Sequence, residues 1–84
     1  MSVKEEMEAA LQAAFAPTAL EVVNESYKHA GHAGDDGSGE SHFAVRIRSE
    51  AFEGMNRVKQ HRAVHKALGD IVPRIHALAL DIGV

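Results

Sequence analysis

The stretch Phe43-Ala44-Val45-Arg46-Ile47-Arg48, residues 43–48, decides the fold. Its apolar members, Phe43, Val45 and Ile47, alternate with Ala44, Arg46 and Arg48. A period of two is the signature of a strand with one buried face and one wet face. Upstream, the β-favouring run Leu20–Val23 predicts a second strand over Thr18–Ser26. Between them lies AGHAGDDGSGE, Ala30–Glu40, a glycine-rich stretch that reads as a flexible loop. It is too short to hold a crossover helix, so the two strands are expected to pair as an antiparallel hairpin.

Outside this hairpin the period changes to helical. Val3, Met7, Ala10, Leu11, Ala14 and Phe15 recur at spacings of three and four, one face of an amphipathic helix. Ser2 is placed to cap it, with Glu5 completing a capping box, and Pro17 to close it. From Asn56 to Val72 a second helix is predicted, with a helical turn before it at Ala51–Gly54. Arg57, His61, Val64, Leu68, Ile71 and Val72 share one side of this helix, and Lys59, Arg62 and Lys66 the other. Pro73 is expected to end it, and Ile75–Ile82 to form the last strand. Burying these faces together calls for an open sheet with helices on one side, an α+β two-layer sandwich. At 84 residues, one domain over 1–84 is expected.

Composition excludes several functions. Of the 84 residues 14 are alanine, and the aromatics are three Phe and one Tyr, so the core is thin. A net charge of −3 excludes a nucleic-acid binder that works by bulk positive charge alone. The absence of cysteine excludes disulfides, a thiol nucleophile and thiolate metal sites built by this chain alone. No apolar run approaches the roughly 20 residues of a membrane span. The N-terminal MSVKEEMEAA lacks the apolar segment of a secretory signal, so a cytoplasmic protein is expected, with a processed organellar form left open.

Six histidines make imidazole the group most available for chemistry. His29 and His32 lie in or beside the glycine-rich stretch and suit either solvation or ligation of a metal. His61 and His65 have the i, i+4 spacing of a helical zinc motif, but Arg62 stands where that motif needs a glutamate. His61 therefore reads as a structural core histidine, and His65 as structural or solvated. His42 is expected on the face opposite Phe43, with no assigned role. His76 follows Pro73-Arg74 at the start of a strand, a position compatible with an edge histidine or a metal ligand. Gly31-His32-Ala33-Gly34 matches the G-x-x-G string of nucleic-acid-binding KH domains, but it sits between strands rather than helices. No serine has a nucleophile-elbow context and no phosphate loop is present, so the chain is not expected to be an enzyme. The cations Arg57, Lys59, Arg62 and Lys66, with Arg46, Arg48 and Arg74, read as a solvated face or as a patch for an acidic partner.

Three strings taken together, LEVVNESYKHAGHAG (20–34), ESHFAVRIRSEAFEGMNRVKQHRAVHKAL (40–68) and IHALAL (75–80), resemble the BolA family from about Val3 to Ile82. The resemblance implies an α-β-β-α-α-β order, similar to a class II KH domain without its G-x-x-G clamp. The turn near Phe52 then becomes a short helix. It further implies a non-enzymatic adaptor that binds a monothiol (CGFS) glutaredoxin and shares a bridging [2Fe–2S] cluster in iron–sulfur trafficking or iron homeostasis. In that complex the glutaredoxin and bound glutathione supply sulfur, and no cluster is expected on the isolated chain. His76 matches the C-terminal ligand histidine of the family, and His29 or His32 the loop ligand, with His29 at the more regular position. Arg62 and Lys66 match possible partner contacts. The family also implies a second role, a DNA-binding transcriptional regulator in stress response and morphology, as well as a homodimer of the free chain.

Overall fold

The computed structural model describes residues 2–25 and 42–84. Two helices, α1 (Val3–Phe15) and α2 (Arg57–Leu68), pack with three strands, β1 (Ala19–Asn24), β2 (His42–Arg48) and β3 (Ala77–Gly83). Ser26 and the glycine-rich stretch Ala30–Glu40 lie outside the described residues. Among the described residues no helix is long and apolar enough to cross a membrane.

The sheet order is β1-β2-β3, which makes β2 the central strand. β1 pairs with it antiparallel, Leu20 opposite Ile47 and Val22 opposite Val45. β3 pairs with it parallel, Phe43 opposite Leu78, Val45 opposite Leu80 and Ile47 opposite Ile82. The crossover between them contains α2, as a parallel connection demands. Phe43, Val45 and Ile47 are buried and meet Met7 and Leu11 of α1 and Val64 and Leu68 of α2 in one core. The alternation of β2 thus reports its two faces correctly: Arg46 is exposed.

Local signals explain the helix ends. The Ser2 hydroxyl accepts from the Glu5 N–H at 3.2 Å, and the Ser2 N–H donates to the Glu5 carboxylate at 3.1 Å. This completes the expected capping box, and the backbone donation from Ser2 holds the Glu5 carboxyl below its ordinary pKa. α2 is shorter than its periodicity suggests. Gly69 adopts φ 53°, a left-handed value that ends the α-helix, and its N–H donates to the His65 carbonyl. The chain continues as a 3₁₀ segment, Gly69–Arg74, so Pro73 lies inside that segment rather than at the end of α2. The turn before α2 is also 3₁₀, Glu50–Phe52, not a short α-helix. It delivers Phe52 into the core, where its ring lies 4.6 Å from that of Phe15.

Ser49, 1% exposed, joins four pieces of this structure. Its hydroxyl donates to the Phe15 carbonyl at the end of α1 at 2.7 Å and accepts from the Ala51 N–H at 3.1 Å. Its N–H donates to the Gly83 carbonyl at 3.0 Å, and its own carbonyl accepts from Phe52. Ser49→Ala strands the Phe15 carbonyl, a loss of about 1–3 kcal/mol. A lower denaturation midpoint with an unchanged slope is the expected reading.

A second tie runs across the surface, where Arg74 donates to both Glu6 carboxylate oxygens at 2.9 Å. The hydrogen-bonded guanidinium holds the Glu6 carboxyl below its usual pKa. A depressed carboxylate contributes stability above its unfolded pKa and loses it as pH falls through the folded value. In Arg74→Gln the Glu6 carboxyl should titrate at higher pH, followed by its ¹³C shift, and an unmoved titration would refute the pairing.

Candidate metal and partner-binding site

The parallel pairing of β2 and β3 brings two strand starts to the same end of the sheet. His42 is the first residue of β2 and stands opposite Ala77, the first residue of β3. His76 immediately precedes Ala77, so the two imidazoles become neighbours, with ring centres 5.2 Å apart and planes tilted by 49°. His76 is exposed, whereas His42 is 8% exposed. His42, to which the sequence assigns no role, is one of two buried polar side chains among the described residues, and it adjoins His76. Its strand face is the expected one, opposite Phe43. Alternation along β2 cannot show that a residue 34 positions later lies beside it.

β1 ends and β2 begins at this same end, where the Glu25 N–H donates to the His42 carbonyl at 2.8 Å. His29 and His32 lie outside the described residues. A dip of about 200 Å³ is lined by His65, Val72, Ile75, His76, Ala77 and Leu78.

α2 supplies the neighbouring surface. Arg57, Lys59, Arg62, His65 and Lys66 are all exposed. The helix RVKQHRAVHKAL carries no acid at all. Asn56 caps it by accepting from the Lys59 N–H at 2.9 Å. Arg57 and Lys59 in its first turn oppose the helix dipole, which disfavours a cation there by roughly 0.3–1 kcal/mol. Helix stability therefore does not account for their placement. Between these cations Val58 is 57% exposed and, with Arg57, His61, Arg62 and His65, lines an open groove of about 600 Å³. His61 is half-buried at the rim of this groove rather than in the core, because α2 turns Val64 and Leu68, not His61, towards the sheet. Among the described residues no group of three or more His, Cys, Asp or Glu is arranged to hold a metal ion.

The family model for BolA-like proteins matches residues 11–83. A Sinorhizobium sp. protein described as "uncharacterized protein in cobS 5' region" is 51% identical over 83 residues, 96% of this chain and 89% of its own length. The Escherichia coli protein named DNA-binding transcriptional regulator BolA is 42% identical over 81 residues, 95% of this chain and 73% of its own length. Among solved structures, BolA1 from Arabidopsis thaliana superposes with a TM-score of 0.87 at 40% identity, covering 99% of this chain and 92% of that one.

Proposed function

The chain belongs to the BolA family, whose members are regulators or adaptors rather than enzymes, and on that premise we propose that it is an adaptor for a monothiol glutaredoxin, sharing a [2Fe–2S] cluster with it. The observation that carries this reading is the exposed His76 ring at the open end of the sheet. The donor set fits a shared group and not a closed cage: the chain has no cysteine, and its described residues offer imidazoles at one edge. Sulfur ligands then have to come from the partner and its bound glutathione. His76 is the chain's principal ligand in this reading, with His29 or His32 as the second. A cluster ligated by imidazole in place of thiolate has a raised reduction potential, and only neutral imidazole ligates, so retention falls as pH falls. The exposed cations Arg57, Arg62 and Lys66 beside Val58 supply a docking face with an apolar centre for an acidic partner.

Co-expression with a CGFS glutaredoxin should yield a coloured complex whose visible spectrum changes in His76→Ala. Because His76 is exposed, that variant stays folded, which circular dichroism checks. A spectrum identical in His76→Ala, His29→Ala and His32→Ala would remove the ligand assignment.

A second reading is favoured by the acid-free helix α2 and by the name of the Escherichia coli relative. In it Arg57, Lys59, Arg62 and Lys66 contact phosphates of DNA in a transcriptional regulator. Four such contacts predict roughly a hundredfold loss of affinity between 50 and 200 mM salt. Neutralising the four cations should flatten that dependence, measured by fluorescence anisotropy, and a salt-independent affinity would eliminate the reading.

A further inference from the structure

We propose that the outer edge of β3, with the facing wall of α2, is a strand-addition site for an extended acidic peptide segment, which joins the sheet antiparallel to β3. Among the described residues β3 pairs only with β2, so alternate backbone N–H and C=O groups along its outer side meet no strand. Edge strands are ordinarily guarded against such pairing by charge, proline or a bulge. β3 (ALALDIG) has no proline, and its register with β2 is unbroken from Ala77 to Gly83. Its one charge, Asp81, is answered by Arg48 at 3.0 Å. The edge is left open to a partner strand.

The core beneath this edge is also incompletely covered. Leu78, Leu80 and Ile82 stand opposite Phe43, Val45 and Ile47 on the core face, yet they are only half-buried where those three are buried. Two hollows mark the seam between β3 and α2. One, of about 310 Å³, lies where Arg57, Gln60 and His61 face Leu80 and Ile82. The other is the dip where His65 adjoins Leu78. α2 therefore runs antiparallel to β3 along the seam. At about 3.3 Å per residue, side chains i and i+4 of an added strand lie about 13 Å apart on one face, the distance from Leu78 to Ile82. Backbone pairing would hold such a strand, and the two hollows would select its side chains. Charge selects the occupant, because α2 carries no acid and presents Arg57 to the larger hollow. A second copy adding its own β3 would set two such helices along one seam, like charge against like. A nucleic-acid strand has no repeating N–H and C=O row to continue the ladder. Antiparallel pairing, the stronger per residue, sets the N-terminal half of the peptide beside Arg57.

The test uses the full chain without glutaredoxin or cluster, so its failure leaves the cluster reading standing. A short synthetic peptide, two glutamates followed by alternating valine and threonine, is titrated into the ¹⁵N-labelled chain. Amide shifts are expected over Ala77–Gly83 and along α2, and not over Ala19–Asn24 of β1. Two further peptides are N-methylated at one or the other alternating set of amides. The set that faces β3 should bind at least tenfold more weakly, and the other within twofold. Arg57→Glu puts an acid where the helix dipole favours one, so the fold is kept. It should weaken the glutamate peptide at least tenfold and bind a lysine counterpart instead. Equal loss from both methylated peptides, or from neither, overturns the site. So do shifts confined to β1, shifts over β3 caused by a single-stranded oligonucleotide but not by the peptide, or self-association of the chain through β3.

Discussion

The structure hangs on β2, the one described strand that is paired along both edges. Its buried face, Phe43, Val45 and Ile47, is the floor against which both helices close. Its neighbours run in opposite senses beside it, β1 antiparallel and β3 parallel after a crossover that contains α2. Its two ends divide the labour. At the C-terminal end Ser49 ties α1, β3 and the 3₁₀ turn through four hydrogen bonds, leaving no polar group of that residue to water. At the N-terminal end His42 is set beside His76, with ring centres 5.2 Å apart. The hydrogen bonds of Ser49 thus tie one end of the strand, and the two imidazoles stand at the other.

Charge follows the same separation. Arg48 reaches across β3 to the Asp81 carboxylate and carbonyl, both at 3.0 Å, and lies so close to Gly83 that a Cβ there would sit 3.0 Å from the guanidinium stem. That pairing is local and satisfies itself. The cations of α2 are different, because no acid on their own helix answers them. An exposed ion pair contributes at most about 1 kcal/mol to folding, so unanswered surface charge costs the fold little and remains available to an incoming anion.

Much of the fold is legible in sequence because its signals are local. The alternation in Phe43–Arg48, the Ser2–Glu5 box and the three-and-four spacing of Val3, Met7 and Leu11 each need only a few neighbouring residues. Errors arise where a local rule meets a stronger one. Periodicity extends the second helix to Val72, but the positive φ of Gly69 stops it four residues after Val64, and apolar spacing then persists through a 3₁₀ segment that a helical wheel does not distinguish. His61 sits on the apolar side of that wheel, yet only Val64 and Leu68 of α2 are buried. The candidate site is half legible. His76 stands out by position, at the entry to a strand after Pro73-Arg74. His42 does not, because its importance comes from a residue on another strand, and sequence period carries no information about which strands adjoin.

The rung from His42 to Ala77 also makes the site a gauge of pairing. Side chains alternate along a strand, so a slip of β3 by one residue would turn Leu78, Leu80 and Ile82 away from Phe43, Val45 and Ile47 and carry His76 off His42. A chain paired in the wrong register therefore loses its core and its imidazole pair in the same step. A ligand held by both rings would favour the correctly threaded sheet over a misaligned one.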